Sequence, residues 1–393
     1  MTKETFIWHP DEDDVYDGNL FGDTFIENRP CSAFRKGIGK SFTMNGDGHT
    51  LTLAPIPQDI DVFIEWGATP GPWLPDPAVT QITINSGTLQ VMSGELDPTA
   101  DAVLGLGVED AVVVVDVTGN FIVRDVNVEG AVRPSNGGPM PGTTINVHRG
   151  GQFLVGSESL TRVTGFTGAF DINVHDMGSV SVTAHIVRLT GGTYSIGDAS
   201  TTANSSFEII ALPTPSSQGS PLSGDGSLSA SSHHISCRSA STSLLRAISM
   251  SYTGAHIKVE DSASLSVACD SIAFDGAVAH DSPVVLESGT IFAVGQGAAV
   301  ITFAGSSDGP APFDFQKMAK QYPKGLFNFI TNEGVNKSKF RFLGIGSAFD
   351  FFAMVQEGLI AVNGSPDDGT RTTWSREPDP NDPGKYYFTI YLK

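Results

Sequence analysis

Carboxylates spread through the middle of the 393-residue chain are the residues best suited to catalysis. Hydrolysis of a glycosidic bond uses two carboxyl groups roughly 5 to 10 Å apart, and side chains on adjacent parallel strands, spaced by ~4.8 Å, can reach that separation. The catalytic candidates are Asp171, Asp176, Glu208, Asp270, Asp275 and Asp281. No motif ties any two of them together, and an Asp at a turn commonly caps it through a side-chain oxygen. We therefore expect turn capping at these positions.

Histidines are the next residues that could do chemistry, as metal ligands. His148 and His175 occupy equivalent places in two near-identical segments, Ile-Asn-Val-His, that lie 27 residues apart. Two histidines without a third ligand are a weak metal signal, so we expect a stacked ladder of two rings. His233 and His234 are adjacent, and adjacent residues of a strand point to opposite faces. The sequence therefore predicts no metal site and no cofactor.

An acidic run, Asp11–Asp14 followed by Asp17, carries enough oxygen atoms to hold calcium. The alternation of ligands that a calcium loop needs is broken here, because Val15 and Tyr16 precede Asp17. We interpret the run as a solvated acidic loop.

Aromatic side chains concentrate in residues 313–393, where they replace the Ser, Thr and Gly of the middle of the chain. Trp and Tyr rings can stack on sugars, so Trp374 and Tyr322 are the candidate ligand contacts. Phe has no polar group and normally fills a core or an interface. We expect Phe351, Phe352 and Phe388 to be buried against symmetry-related copies.

A recurring pattern supplies the elements that would position these residues. Each copy reads apolar-x-apolar, a short polar turn, then apolar-x-apolar, which predicts two short strands joined at a corner. One such unit cannot bury its apolar face alone, so stacking of units is expected. The copies begin at Ile82, Val115, Ile145, Ile172, Val187, Ile257 and Val284. Period two then places Val147, Val155, Val174, Val182, Val259 and Val267 in one core.

The fold class predicted is all-β, with a parallel β-helix (β-solenoid) shaft at its centre. Residues 1–77 form a β-rich N-terminal attachment region that ends in a proline-rich link, residues 78–309 form the shaft, and residues 310–393 form a small aromatic C-terminal domain for oligomerisation or receptor binding. Within the first region, Asn-Gly and Asp-Gly pairs predict a β-hairpin over Ser41–Leu53.

Composition excludes several classes of protein. The net charge of -20 disfavours nucleic-acid binding, which needs clustered Lys and Arg, and it disfavours adhesion to an anionic membrane. No apolar run is long enough for membrane insertion, and the N-terminus does not resemble a signal peptide. We expect synthesis in a cytoplasm. Three cysteines are too few for a disulfide framework and are expected to fill the core.

In architecture and composition the chain resembles the β-helix proteins of bacteriophage particles: tailspikes, tail fibres and head fibres. No diagnostic motif accompanies this resemblance. It implies a structural virion protein, a homotrimer located in the virion, whose N-terminal region contacts other virion proteins and which attaches the particle to the host surface, with a surface glycan as a further partner. Two alternatives stay open. One is a β-helix glycan hydrolase or lyase, and the other is a bacterial surface adhesin or effector exported without a cleaved signal.

Overall fold

A computed structural model describes most of the chain, and the all-β prediction is confirmed. The described residues are 4–28, 31–56, 62–68, 79–93, 102–107, 112–130, 142–156, 163–198, 204–213, 226–274, 290–317, 319–332 and 336–393. They divide into two compact units, with the boundary between Tyr194 and Ser195. The proline-rich link, Asp275 and Asp281 lie outside the described residues, and the prediction of three domains stays a prediction.

Sixteen strands, as far as the structure describes the chain, begin in the first unit. They are β1 Asp14–Asp17, β2 Thr24–Asn28, β3 Lys36–Gly37, β4 Ser41–Pro55, β5 Val62–Ala68, β6 Val79–Met92, β7 Ala102–Leu106, β8 Val112–Val117, β9 Asn120–Arg124, β10 Asn127–Glu129, β11 Thr143–Val147, β12 Gln152–Gly156, β13 Gly165–Gly168, β14 Phe170–Val174, β15 Ser179–Ala184 and β16 Ile186–Ile196. A short helix, α1 Gly18–Phe21, and a 3-10 helix, Cys31–Phe34, lie among the first strands.

Parallel pairing arranges these strands in three ladders. The first ladder contains β1, β4, β6, β8, β11 and β14. The second contains β2, β4, β6, β9, β12 and β15. The third contains β3, β5, β7, β10, β13 and β16. Each partner is therefore the equivalent strand of the neighbouring repeat, as expected when a unit can bury its apolar face only by stacking.

Register aligns the apolar positions of successive repeats. In the first ladder the aligned side chains are Tyr16, Met44, Ile84, Val117, Val147 and Val174, all fully or almost fully buried. Val155 and Val182 are buried in the second ladder, and Val259 and Val267 are buried in the second unit. The burial predicted for these valines is confirmed, and a single core shared by all of them stays a prediction. Inside the first unit, Trp66, Phe121 and Phe153 stack with ring centroids 5.7 and 5.3 Å apart.

The hairpin predicted over Ser41–Leu53 is wrong. β4 is one strand with a corner, and its two parts pair parallel with different partners: the part before the corner with β1, and the part after it with β2. Both parts also pair with β6. Asn-Gly and Asp-Gly pairs mark a left-handed turn, as φ of +44° at Asp47 shows, but such a turn does not decide whether the next strand turns back on the first.

A column of glycines lies at the corner between the first and second ladders. At each of them an added Cβ atom would lie less than 3 Å from backbone of a neighbouring repeat, so the stacked corners leave no room for a side chain. These residues are Gly18, Gly46, Gly87, Gly119, Gly151 and Gly178.

The N-terminal segment covers one end of this core. Phe6 and Trp8 are buried, and the Trp8 ring lies 4.8 Å from Phe42 and 6.3 Å from Trp66. Repeat proteins need such terminal caps because the last repeat has no neighbour to cover its apolar face.

A buried ion pair holds this cap in place. Lys36 is fully buried, and its ammonium donates to the Asp14 carboxylate at 2.6 Å and to the backbone oxygens of His9 and Glu12 at 2.8 and 3.2 Å. An ammonium group has three N–H donors, so all three are used.

The acidic run is exposed in a turn at Asp11, Glu12 and Asp13, as expected of a solvated loop, whereas Asp14 is buried. Asp11 pairs with Arg35 at 2.7 Å, Asp13 accepts the backbone N–H of Ser41 at 2.7 Å, and Asp17 caps α1. These hydrogen bonds tie the cap to the first strands, and the backbone N–H of Ser41 lowers the pKa of Asp13.

Fifteen further strands follow in the described part of the second unit. They are β17 Ser206–Ala211, β18 Ser227–Cys237, β19 Thr242–Arg246, β20 Ser249–Thr253, β21 His256–Asp261, β22 Ser264–Ala268, β23 Ser271–Phe274, β24 Ile291–Gly297, β25 Val300–Ala304, β26 Phe327–Phe329, β27 Lys339–Leu343, β28 Ile360–Val362, β29 Ser365–Pro366, β30 Thr372–Pro378 and β31 Tyr386–Leu392. A 3-10 helix, Ala319–Gln321, and the helix α2, Ala348–Gln356, complete the unit.

Parallel ladders again organise most of the second unit. The fourth ladder contains β17, β19, β22, β25 and β27. The fifth contains β18, β20 and β23, and the sixth contains β18, β21, β24, β26 and β28. Pairing then reverses: β31 is antiparallel to both β27 and β30, and β29 is antiparallel to β28.

Aromatic side chains fill the core beneath these last strands. Phe388 is fully buried against Phe342, with ring centroids 6.1 Å apart, and Phe351 is 6% exposed. The expectation that both are buried against other copies is wrong, because their own chain covers them. Phe352 is 65% exposed on α2. Cys237 and Cys269 are free and buried, as expected of core residues.

We predict that the glycine column is sensitive to a single methyl group. In Gly151→Ala the new Cβ would lie 2.4 Å from the Val117 backbone oxygen, whereas in Gly156→Ala it would meet nothing within 4 Å. Overpacking of this kind costs about 1–3 kcal/mol. Urea denaturation followed by circular dichroism should show Gly151→Ala destabilised by about that amount and Gly156→Ala nearly unchanged. Equal stabilities of the two variants would contradict the close backbone contact.

We also predict that removing one partner of the buried ion pair strongly lowers the stability of the fold. Lys36→Met leaves Asp14, whose side chain is 5% exposed, without its ammonium partner. Loss of one member of a buried pair typically costs about 3–5 kcal/mol. The double variant Lys36→Met/Asp14→Asn removes the unpaired charge and should recover part of this loss in urea denaturation. A double variant at least as unstable as Lys36→Met alone would show that the charge is not the cause.

Candidate functional site

A groove of about 540 Å³ on the outer face of the fourth ladder is the candidate site. Short side chains form its floor, because the strand register aligns them across neighbouring strands. Arg246 is aligned with Ala268 and Ala304, and Leu244 is aligned with Ser266 and Thr302. The long side chains of β19 are thus followed by short ones on β22 and β25, which leaves a trough across these strands.

The loop between β30 and β31, together with Tyr387 at the start of β31, forms the opposite wall. Two backbone hydrogen bonds close it into a tight loop, from the Asp379 N–H to the Lys385 oxygen at 3.0 Å and from the Lys385 N–H to the Asp382 oxygen at 2.9 Å. The Lys385 ammonium donates to the backbone oxygen of Asp308 at 2.9 Å. This last bond ties the loop to the segment that follows β25.

Side chains of both signs line the groove. Arg246 and Lys385 are the cations, and Asp308, Asp379 and Asp382 are the carboxylates. Hydroxyl groups and an amide accompany them, from Thr242, Ser266, Thr302 and Asn381. Such a lining offers hydrogen-bond donors and acceptors side by side, over apolar surface from Leu244, Ala268, Ala304 and Leu343.

Tyr387 supplies an aromatic ring to the same wall. Its hydroxyl lies 3.4 Å from the Asp379 carboxylate, and the Arg341 guanidinium lies over its ring at 4.1 Å from the centroid. Burial, together with the Asp379 charge, raises the pKa of Tyr387, so the hydroxyl stays protonated and can donate to Asp379. Arg341 is in turn held by Glu377 at 3.3 Å, which orders this wall.

The carboxylates considered for catalysis lie elsewhere. The Asp171 carboxylate accepts the backbone N–H of Thr193 at 2.7 Å, and Asp270 accepts the backbone N–H of Ser306 at 2.9 Å. Asp176 lies in the turn after β14, with φ of +50°. Hydrogen bonding of Asp171 and Asp270 agrees with the capping interpretation, and neither residue lines the groove.

The two aromatic candidates do not line the groove either. Tyr322 is 9% exposed, its hydroxyl accepts the Asp314 backbone N–H at 3.2 Å, and burial raises its pKa. Trp374 is partly exposed on β30, with its ring 5.6 Å from that of Phe388. Tyr322 is thus part of the aromatic core, and the ligand role of Trp374 stays a prediction.

Stacked histidines occur in both units. The rings of His148 and His175 are 5.4 Å apart and nearly parallel, which confirms the predicted ladder. His234 and His256, aligned in the sixth ladder, form a second stack at 5.1 Å that the sequence analysis missed. The sequence pattern that indicates this stack is a pair of histidines at outward positions 22 residues apart. Within the described residues, no group of three or more His, Cys, Asp or Glu is placed to hold a metal ion.

The groove residues were also missed, since β19 and the loop before β31 are far apart in the sequence. The outward alternation of Leu244 and Arg246 on a strand was a signal, but the position of the loop depends on tertiary structure.

In the described part of the chain no helix has the length and apolarity to span a bilayer. No known protein family matches the chain, and no similar protein was found among curated proteins or solved structures.

We predict that the second histidine stack makes stability depend on pH. Burial, followed by the nearby His234, lowers the pKa of His256 below its ordinary value of 6.5. The unfolded chain then binds the proton more readily, so stability is complete above pH 6.5 and falls as the pH drops below it. Urea denaturation at about pH 7.5 and about pH 5 should show this loss.

The control is His256→Gln, which cannot take up the proton and should lose less stability over the same interval. A variant that loses as much as the natural chain would assign the pH dependence to other groups.

Proposed function

We propose that this chain is a parallel β-helix protein of a virus particle that attaches the particle to a host surface. In-register parallel ladders support the β-helix, because equivalent strands of successive repeats pair with one another in both units. Such stacking gives a rigid body from short repeats and leaves its outer faces free for binding.

Assembly and location belong to the same proposal. The tailspike, tail-fibre and head-fibre class implies a homotrimer in the virion, with residues 1–77 contacting other particle proteins. Exposed apolar side chains in the described N-terminal part support a contact there: Ile7, Val15, Leu20 and Phe25 are each more than half exposed. Exposed apolar groups of this kind mark interfaces when they are contiguous.

The groove is the single observation that carries the attachment role. Paired cations and carboxylates, hydroxyl groups and apolar floor side chains form one lining. Binding sites typically combine apolar surface with a few well-placed polar groups, and a sugar presents hydroxyl groups together with apolar C–H faces. A host surface glycan is therefore the proposed ligand.

Cleavage of that glycan is the second candidate function. Three carboxylates, from Asp308, Asp379 and Asp382, line one groove, and glycoside hydrolysis uses a pair. Asp379 already accepts the backbone N–H of Asn381 at 2.9 Å, in addition to its contact with Tyr387. A carboxylate with these partners is better placed to order the loop than to transfer a proton, so binding without cleavage is favoured. An exported bacterial adhesin would use the groove in the same way.

We predict that filling the groove weakens glycan binding. The test uses an array of bacterial capsular and lipopolysaccharide glycans, with Ser266→Trp to fill the floor and Ser264→Trp as the matched control. Both serines point outward on β22, but only Ser266 lines the groove. Ser266→Trp should weaken binding about tenfold or more, or ~1.4 kcal/mol, whereas Ser264→Trp should bind like the natural chain.

Two further measurements separate the alternatives. Light scattering should give three times the mass of one chain, and an antibody raised against the chain should label purified particles. Shortening of the bound glycan, lost in Asp379→Asn while binding persists, would establish the enzyme instead. An array that binds no glycan, or a Ser266→Trp variant that binds normally, would contradict the proposed role of the groove.

A further inference from the structure

Arg246 carries an unused hydrogen-bond donor in the wall of the groove. Its Nε atom is buried and has no hydrogen-bond partner among the described residues, although the side chain as a whole is 40% exposed. A buried N–H without an acceptor costs free energy. A ligand cannot reach this covered Nε atom, but the other N–H groups of the guanidinium belong to a side chain that is 40% exposed and lines the groove, so they can donate to a ligand oxygen atom.

Asp308 lies beside it as an unused acceptor. The shortest contact between the two groups, from Arg246 Nη2 to Asp308 Oδ1, is 3.9 Å, which is too long for a hydrogen bond. The Asp308 side chain is 75% exposed. Donor and acceptor thus stand next to each other at the groove without saturating each other.

The remaining charged groups of the lining are already engaged. Asp379 accepts from Asn381 and Tyr387, and Asp382 accepts the Gly384 backbone N–H at 3.1 Å. The Lys385 ammonium donates to the backbone oxygen of Asp308 and lies 3.7 Å from the Asp382 carboxylate. Recognition in the groove therefore depends on Arg246 and Asp308 more than on the loop.

Charge determines which class of sugar fits. The lining has three carboxylates against two cations, and the chain carries a net charge of -20. An acidic polysaccharide would bring its own carboxylates close to Asp308, and like charges at short range repel. A neutral sugar has no such penalty, and adjacent hydroxyl groups can accept from a guanidinium and donate to a carboxylate at once.

We infer that the groove binds a neutral glycan, with two neighbouring hydroxyl groups of one sugar bridging Arg246 and Asp308. This inference rests on the proposed function, since it specifies the glycan that the groove takes. The apolar face of the sugar lies on the floor formed by Ala268 and Ala304. Arg246 acts here as a donor of hydrogen bonds, and its charge is balanced by Asp308.

The test compares neutral and acidic polymers on the full-length chain. Dextran, mannan and galactan are the neutral probes, and polygalacturonate, alginate and hyaluronate are the acidic probes. At least one neutral polymer should bind and none of the acidic ones. Raising NaCl from about 50 mM to about 500 mM should change the affinity by less than about twofold, since screening weakens only charge–charge attraction.

Variants assign the contact to the two residues. Arg246→Met and Asp308→Ala should each reduce neutral-polymer binding by about tenfold or more. Arg376→Met is the matched control, because Arg376 is an exposed arginine of the same unit that lies over Tyr386 and does not line the groove. It should bind normally. Circular dichroism confirms that each variant is folded.

The other possible outcomes distinguish a failure of this inference from a failure of the proposed function. Salt-sensitive binding of an acidic polymer, abolished by Ser266→Trp, would overturn the inference and leave the proposed function standing. The same holds if neutral binding is abolished by Ser266→Trp but unaffected by Arg246→Met and Asp308→Ala. Failure of every polymer and of the bacterial glycan array to bind would overturn the proposed function and the inference together.

Discussion

Backbone contact at the glycine corner is the constraint on which the first unit depends. The corner joins a strand of the first ladder to a strand of the second, and there the chain of one repeat touches the chain of the next. At Gly178, for example, an added Cβ would lie 2.4 Å from the Val147 oxygen. Since the two corners cannot slide past each other without collision, one contact fixes the register of two ladders at once.

The register then determines which side chains are aligned on the inner and on the outer face of every ladder. A shift by one residue would exchange inward and outward side chains, so the contact that keeps Val147 over Val174 also keeps Asn146 over Asn173, whose amides are hydrogen bonded at 2.9 Å. The second unit has comparable corners, at Gly197 against the Arg238 oxygen and at Gly297 against the Asp261 oxygen. The groove follows from the same rule, since its trough exists only where short side chains are aligned with Arg246.

Sequence alone was sufficient for properties that depend on the alternation of inward and outward side chains along a strand. Inward valines and the His148–His175 stack were predicted because alternation and spacing decide them. The direction of a strand after a turn is decided by its partners, which is why the Ser41–Leu53 segment was misjudged. Helix α2 was missed although Ser347 and Asp350 form its N-terminal cap, with the Asp350 N–H 3.4 Å from the Ser347 hydroxyl oxygen. The groove combines segments more than 130 residues apart, and no local pattern encodes that meeting.

Reversal of strand direction at β31 has a consequence for crowded assemblies. A ladder of parallel strands offers its last edge as a template on which another chain can continue. Here β31 runs against β27, and the outermost strand, β30, carries Arg376, Glu377 and a terminal Pro378. Charged residues and proline on an edge strand hinder pairing with a further strand. The edge at β30 is therefore poorly suited to pairing with a further strand, which hinders strand-by-strand association of copies through it even where copies are crowded together.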